Sequence, residues 1–142
     1  MRSDVPVGAY VSGGIDSSLI AILAAKNTVR MRDYFHGRFI DYPGYDESEF
    51  AAAAAASAGG HLHVIDITAQ DFIDHMGDVI YHLDFPVAGP GSFPQYVVSE
   101  LAARHLKVVL GGQGGDEVFG GYARYLLAYF EQCIKAALDG TY

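Results

Sequence analysis

At 142 residues, 51% of them apolar, the chain has the length of one compact domain and enough hydrocarbon for a real core. A formal net charge of −8, from nine Lys and Arg against 17 Asp and Glu, argues against a tRNA- or DNA-modifying role, which wants a basic patch. A small nucleotide, held by backbone amides, helix ends and a metal ion, stays open. The single cysteine, Cys133, excludes an intrachain disulfide and a thiolate metal cluster from one chain.

In chain order, Arg2 and Asp4 lead into strand-like and Gly-rich sequence, not into the apolar region of a signal peptide, and no apolar run has the length of a membrane span. The expectation is a soluble, cytoplasmic protein without membrane contact. Val5 to Val11 reads as a buried strand, with Pro6 at its start. A Gly-rich turn follows, and Ser17 to Asn27 reads as a helix rich in Leu, Ile and Ala. Asp33 to Phe39 is a second strand. Asp46 and Glu49 resemble a capping box opening an Ala-rich helix that runs to Ala58, where Gly59-Gly60 stops it. His61 to Ile67 alternates as a third strand. The apolar spacing from Asp71 to about Leu83 predicts a helix. Asp84 to Pro94 reads as loop, and Phe93 or Gln95 to His105 as a helix. Lys107 to Leu110 is a short strand, Gly111 to Gly121 a second Gly-rich loop, and Tyr122 to Leu138 a final helix.

Strands alternating with helices predict an α/β domain with a parallel sheet and helices on both faces. In such sheets ligands bind beyond the carboxyl ends of the strands. Both Gly-rich loops follow strands, so both are expected on that one edge. The first, Ser12-Gly13-Gly14-Ile15-Asp16-Ser17-Ser18, passes from strand into helix. Its glycines tolerate unusual backbone angles and close approach of a ligand. The helix start offers free N–H groups and a partial positive charge, and Ser12, Ser17 and Ser18 add hydroxyls. The result is a nest for pyrophosphate. Asp16 suits an anion site only with a magnesium ion bridging its carboxylate to phosphate oxygens. Neither the Gly-Lys-Ser/Thr of a Walker loop nor a Gly-x-Gly-x-x-Gly dinucleotide fingerprint is present there.

Ser12 to Ser18 resembles the PP-loop of the N-type ATP pyrophosphatases. Gly111-Gly112-Gln113-Gly114-Gly115-Asp116-Glu117-Val118-Phe119-Gly120-Gly121-Tyr122 is similar to the second signature of the asparagine synthetase synthase domain, and Gly44-Tyr45-Asp46-Glu47-Ser48 to that family's segment after the second strand. The likeness covers nearly the whole chain. It implies an adenine nucleotide alpha hydrolase-like fold and ATP-dependent activation of a carboxylate, the aspartate side chain, as an acyl-adenylate that ammonia converts to the amide, releasing AMP. By the same likeness Ser12, Gly13, Gly14, Ser17 and Ser18 hold pyrophosphate, and Asp16 and Asp116 carry Mg2+. Tyr10, Val11, Gly111 and Gly112 lie against the nucleoside, and Asp84 and Gln113 lie near the acyl substrate. Gln113 stands where some members have Glu, and an amide cannot act as a base. Phe85 to Ser92 departs from the family's more acidic pattern.

The family's N-terminal glutaminase domain, its ammonia source, has no counterpart in the sequence. Nor is its catalytic lysine matched by Lys26, Lys107 or Lys135. Residues 1–142 therefore read as a single ATP-pyrophosphatase domain incomplete at its C-terminal end. Three alternatives remain: a β-lactam synthetase-like or other specialised amide ligase, a non-catalytic ATP-binding module, and one part of a split enzyme. A tRNA-thiolating relative would want catalytic cysteines and a basic surface.

Other features read more plainly. His61 and His63 share a strand face and suggest a solvated or edge-facing pair, since no third metal ligand is evident. His36, His75, His82 and His105 receive no role. Asp71, Asp74 and Asp78 have the spacing of a solvated helix face, and Glu117 could cap the following helix. The final helix carries Tyr122, Tyr125, Leu126, Leu127, Tyr129, Phe130 and Ile134, which is too much for one core-facing stripe. It predicts an exposed patch and association with a copy or a partner.

Overall fold

The computed structural model describes residues 2–28, 31–85, 89 and 91–140. It divides into two compact units, Met1–Gly112 and Gln113–Tyr142. The first unit holds β1 (Val7–Tyr10), α1 (Ile15–Lys26), β2 (Asp33–Phe39), a 3-10 turn (Pro43–Tyr45), α2 (Ser48–Ser57), β3 (His61–Ile67), α3 (Ala69–Leu83), α4 (Ser92–Ala103) and β4 (Val108–Leu110). The second holds α5 (Gly115–Phe119) and α6 (Ala123–Asp139).

The four strands form one sheet in the order β3-β2-β1-β4, with parallel pairing throughout. The chain builds outward from β1 to β3, then returns through α3 and α4 to add β4 on the other side of β1. That reversal of strand order makes the β1–β4 boundary a switch point, where the following loops diverge and leave a crevice at the carboxyl edge. The expected α/β class and its single-edge arrangement of loops are therefore observed.

Alternation along β2 divides the core between the two faces. Tyr34 enters a cluster with Ala9, Val11, Ala21, Met31, Ala51, Ala54 and Ala55, beneath α1 and α2. Phe35 enters the opposite cluster with Ile67, Val79, Phe93, Val97, Val98 and Ala102, beneath α3 and α4. The first cluster is largely alanine. Small residues let α1 and α2 lie close to the sheet, while Ile15, Leu19 and Leu23 of α1 stay exposed.

Several local expectations change. α1 starts at Ile15, two residues early, because Gly14 sits in extended conformation as its N-cap. The capping box belongs to α3, not α2. The Thr68 side chain accepts from the Asp71 backbone N–H, and the Asp71 carboxylate accepts from Thr68 N–H at 2.8 Å. Asp71 is thus a capping group and not part of a merely solvated face. Its bonds from Thr68 hold its carboxyl below the usual carboxylate range. A depressed folded-state pKa adds stability above the unfolded value, which is lost as pH falls through the folded one. At α2, Glu47 is the N-cap and makes no side-chain cap bond. Asp46 instead accepts the Ser48 N–H at 2.9 Å, two residues on. The Gly59-Gly60 stop is as expected: Gly59 N–H reaches Ala56 O and Gly60 N–H reaches Ala55 O, a Schellman arrangement with Gly59 at φ +74°.

Tyr34 is fully buried, and its hydroxyl has no partner among the described residues. Burial pushes its pKa up, with Arg32 lowering it and Asp33 raising it to a lesser extent. An unpartnered buried hydroxyl costs the desolvation of that group. Tyr34→Phe is accordingly expected to raise stability by about 1 kcal/mol in urea unfolding. A loss of stability would mean that a buried water satisfies the hydroxyl.

In the second unit, part of what the sequence presents as loop is the short helix α5, with Gly114 (φ +95°) before it and Gly120 (φ +71°) after it. On α6, Leu126, Leu127, Tyr129, Phe130, Ile134 and Leu138 are exposed, so the expected apolar surface is present. Among the described residues no helix is long and apolar enough to cross a membrane.

Candidate nucleotide site

The loop from β1 to α1 is held by its own side chains. Val11 continues the ladder by one residue, donating its N–H to Phe35 O at 2.9 Å. Gly13 then turns the chain at φ +98°. Ser12 N–H donates to Ser17 Oγ at 3.1 Å, and the two hydroxyls lie 3.0 Å apart. Gly14 N–H donates to Ser12 Oγ at 3.2 Å, and Ser18 Oγ donates to Gly14 O at 2.7 Å. Ser17 is 8% exposed, so its hydroxyl braces the loop from inside. No side chain caps α1. The helix start therefore presents backbone N–H groups and the positive end of the helix dipole to the crevice. Asp16 stands half-buried in that first turn.

The second Gly-rich loop meets this helix start. A Cβ on Gly112 would lie 2.7 Å from Ser17 N and 2.9 Å from Ser17 Cα, so the residues after β4 press backbone to backbone against α1. Gly112 thus lies beside Asp16 and Ser17, as the shared edge predicts.

Tyr10 and Val11 border a cavity of about 240 Å³ at the carboxyl ends of β1 and β2. Val11 itself is fully buried. The Tyr10 hydroxyl is 2.8 Å from Ser99 Oγ on α4, which fixes the ring as one wall. Phe39, Tyr45, Gln95 and Val98 supply other walls. Largely apolar walls with a few polar groups, Ser12, His36, Glu47 and Gln95, suit a flat ring joined to a charged tail.

Two neighbours of the loop lie outside the sequence-derived set. Glu47 backs Gly13, whose added Cβ would be 2.7 Å from Glu47 Cβ and 2.8 Å from Glu47 O. His36, 4% exposed, lies under Val11 with Nδ1 2.9 Å from Val11 O. Their contacts are made across the sheet edge, so no spacing in the sequence marks them.

The remaining candidates fall elsewhere. Asp84 is the C-cap of α3, with φ 55°, and is not among the residues lining the cavity. Of Phe85 to Ser92, residues 86–88 and 90 lie outside the described residues. Gln113 opens the second unit, and Asp116 lies on α5 with its carboxylate over Gly121. Glu117 Oε1 accepts from the Tyr122 hydroxyl at 2.9 Å, a bond that raises the Tyr122 pKa. Glu117 thus holds the side chain of the α6 N-cap residue, and α6 has no side-chain cap bond.

At the opposite edge of the sheet, His63 Nε2 is 2.8 Å from Asp33 Oδ1. The His63 ring centroid lies 4.5 Å from that of His61 and 4.1 Å from that of His105. β3 is an edge strand, so the pair is edge-facing, and His63 is tied to Asp33 as well. Among the described residues, no group of three or more His, Cys, Asp or Glu is placed to hold a metal ion.

A parallel α/β sheet carrying a Ser-Gly-Gly-x-Asp-Ser-Ser loop at its switch point defines a PP-loop type of domain. The family model for asparagine synthase matches residues 1–139, and the chain belongs to that family. It is 37% identical over 125 residues to asparagine synthetase [glutamine-hydrolyzing] 1 of Bacillus subtilis (strain 168), an alignment covering 88% of this chain and 20% of that relative. It is 36% identical over 135 residues to asparagine synthetase B [glutamine-hydrolyzing] of Escherichia coli (strain K12), covering 86% and 24%. For the asparagine synthetase [glutamine-hydrolyzing] of Brassica oleracea the identity is 34% over 131 residues, covering 86% and 22%. The chain thus spans about a fifth to a quarter of the length of these relatives.

Proposed function

We propose that this chain forms the ATP-cleaving site of a glutamine-dependent asparagine synthetase. The observation that carries the reading is the uncapped start of α1, wrapped by Ser12 to Ser18 and pressed by Gly112 at the switch point of the sheet. An aspartate side-chain oxygen would attack the α-phosphorus of ATP, forming an O–P bond as the bond to the β,γ-pyrophosphate breaks. Ammonia would then add to the acyl carbon, lose a proton and expel AMP. A carboxylate is a poor electrophile, and adenylation supplies the leaving group. The domain's part is to align the carboxylate with phosphorus and to stabilise the charge gathering on pyrophosphate.

The free N–H groups at the start of α1 serve that charge. The cavity beside Tyr10 and Val11 would take the nucleoside. Asp16 would hold a magnesium ion, since hard cations prefer carboxylate oxygens, and Asp116 is proposed as the second carboxylate. The ion would supply charge neutralisation of the leaving pyrophosphate. Asp84 and Gln113 are proposed near aspartate, with ammonia delivered by a glutaminase domain or subunit in the cytoplasm.

Calorimetric titration with magnesium and a non-cleavable ATP analogue tests this reading. Binding is expected only with metal present, and Asp16→Ala should weaken it at least tenfold while leaving the fold intact. Equal affinity with and without metal, or in the variant, would remove Asp16 from the site.

A further inference from the structure

His36 lies midway along β2, beside the end of β1 and on the face covered by α2, and both ring nitrogens are engaged. Nδ1 is 2.9 Å from Val11 O. A carbonyl only accepts, so Nδ1 carries a proton. Nε2 is 3.2 Å from Ser48 Oγ. Ser48 has a single hydroxyl proton, and its Oγ also makes a short contact with Asp46 Oδ1. The same carboxylate oxygen accepts the Ser48 N–H at 2.9 Å. Those two bonds hold the Asp46 carboxyl below the usual carboxylate range, so near neutral pH it is an acceptor only. The Ser48 proton then points to Asp46, and Ser48 Oγ must accept from His36 Nε2–H. Both nitrogens carry protons.

We propose that His36 is a buried imidazolium, a positioning residue that grips the carbonyl preceding the phosphate loop and sets one positive charge beneath it. The proton is held by the line Val11 O, His36, Ser48, Asp46. The charged and titratable groups around it are Asp46, Arg38 and Glu47, with Tyr10 from β1 and Tyr45 from the turn. Among the described residues lining the cavity, Glu47 is the sole carboxylate, and His36 is the sole side chain able to carry positive charge. In a chain of net charge −8, that cation offsets the acidic neighbours of a site meant for an anion. This last step rests on the proposed nucleotide function; the protonation state does not.

The test is nitrogen-15 NMR of histidine side chains in the whole chain, through two-bond correlations that separate imidazolium from each neutral tautomer. H36Q identifies the resonance. If that variant does not fold, replacing each of the other histidines in turn leaves the His36 signal as the unmatched one. His36 is expected to show two protonated nitrogens at pH 7. Ser48→Ala, which cuts the line to Asp46, should convert that signature to the neutral Nδ1–H tautomer at the same pH. A neutral Nδ1–H tautomer at pH 7 in the unaltered chain, or an imidazolium signature unaltered in S48A, would overturn the proposal. A nucleotide analogue that fails to bind, with the imidazolium signature present, would count against the nucleotide reading alone.

Discussion

Gly13→Ala is expected to lower stability by about 2 kcal/mol or more and to abolish detectable binding of a magnesium–nucleotide analogue. Two independent penalties meet at this residue. Its φ of +98° lies where an L side chain is strained, at about 1–3 kcal/mol. The added methyl carbon would also sit 2.7 Å from Glu47 Cβ and 2.8 Å from Glu47 O, so either the loop or the start of α2 must shift. Because Ser12, Gly14 and Ser17 are tied to one another around that turn, a shift disperses the N–H groups gathered for phosphate. Urea unfolding gives the first quantity and calorimetry the second. Glu47→Gly in the same chain should recover only part of the stability, since it removes one contact while the backbone oxygen and the strained φ remain. A G13A protein with unaltered stability and binding would show that the loop is not built around this turn.

Much of the first unit is legible in the sequence because its signals are local. β2 and β3 occupy Asp33–Phe39 and His61–Ile67, the bounds read from the sequence. A glycine pair stops α2 through backbone bonds that any reader of the sequence can place. Capping was harder. Asp46 and Glu49, and Thr68 and Asp71, present similar spacings, and only one pair closes a box. At α2 the N–H and hydroxyl of Ser48 both go to Asp46, and the N-cap residue makes no side-chain cap bond. The same serine then lies 3.2 Å from His36 Nε2. His36 could not be singled out from sequence, because its importance comes from Val11, 25 positions away, and from burial beneath α2. A lone histidine in a strand otherwise reads as packing. Glu47 lies in the Gly44–Ser48 segment that resembles the family's, but that motif does not reveal its closeness to Gly13. The glycines and serines of the loop were readable because turn, hydroxyls and helix start are consecutive.

Gly112→Ala is the second change with a large expected effect, and it probes the meeting of the two Gly-rich loops. Here no strained φ is involved. A methyl carbon would lie 2.7 Å from Ser17 N, 2.9 Å from Ser17 Cα and 3.1 Å from Asp16 C. All three are backbone atoms of the first turn of α1, which cannot rotate aside as a side chain can. Relief requires α1 to slide or the end of β4 to withdraw from β1, where Leu110 pairs with Ala9. Forced overpacking of this kind costs about 1–3 kcal/mol, and the displaced turn carries both Asp16 and the N–H groups proposed for pyrophosphate. Binding of the magnesium–nucleotide analogue should therefore fall at least tenfold, beyond what the stability loss explains while the chain stays folded. Hydrogen exchange separates the two outcomes: amides at 15–18 should lose protection while those of β2 and β3 keep theirs. If G112A binds normally with α1 unperturbed, Gly112 merely passes the first loop, and its place in the proposed phosphate site fails with it.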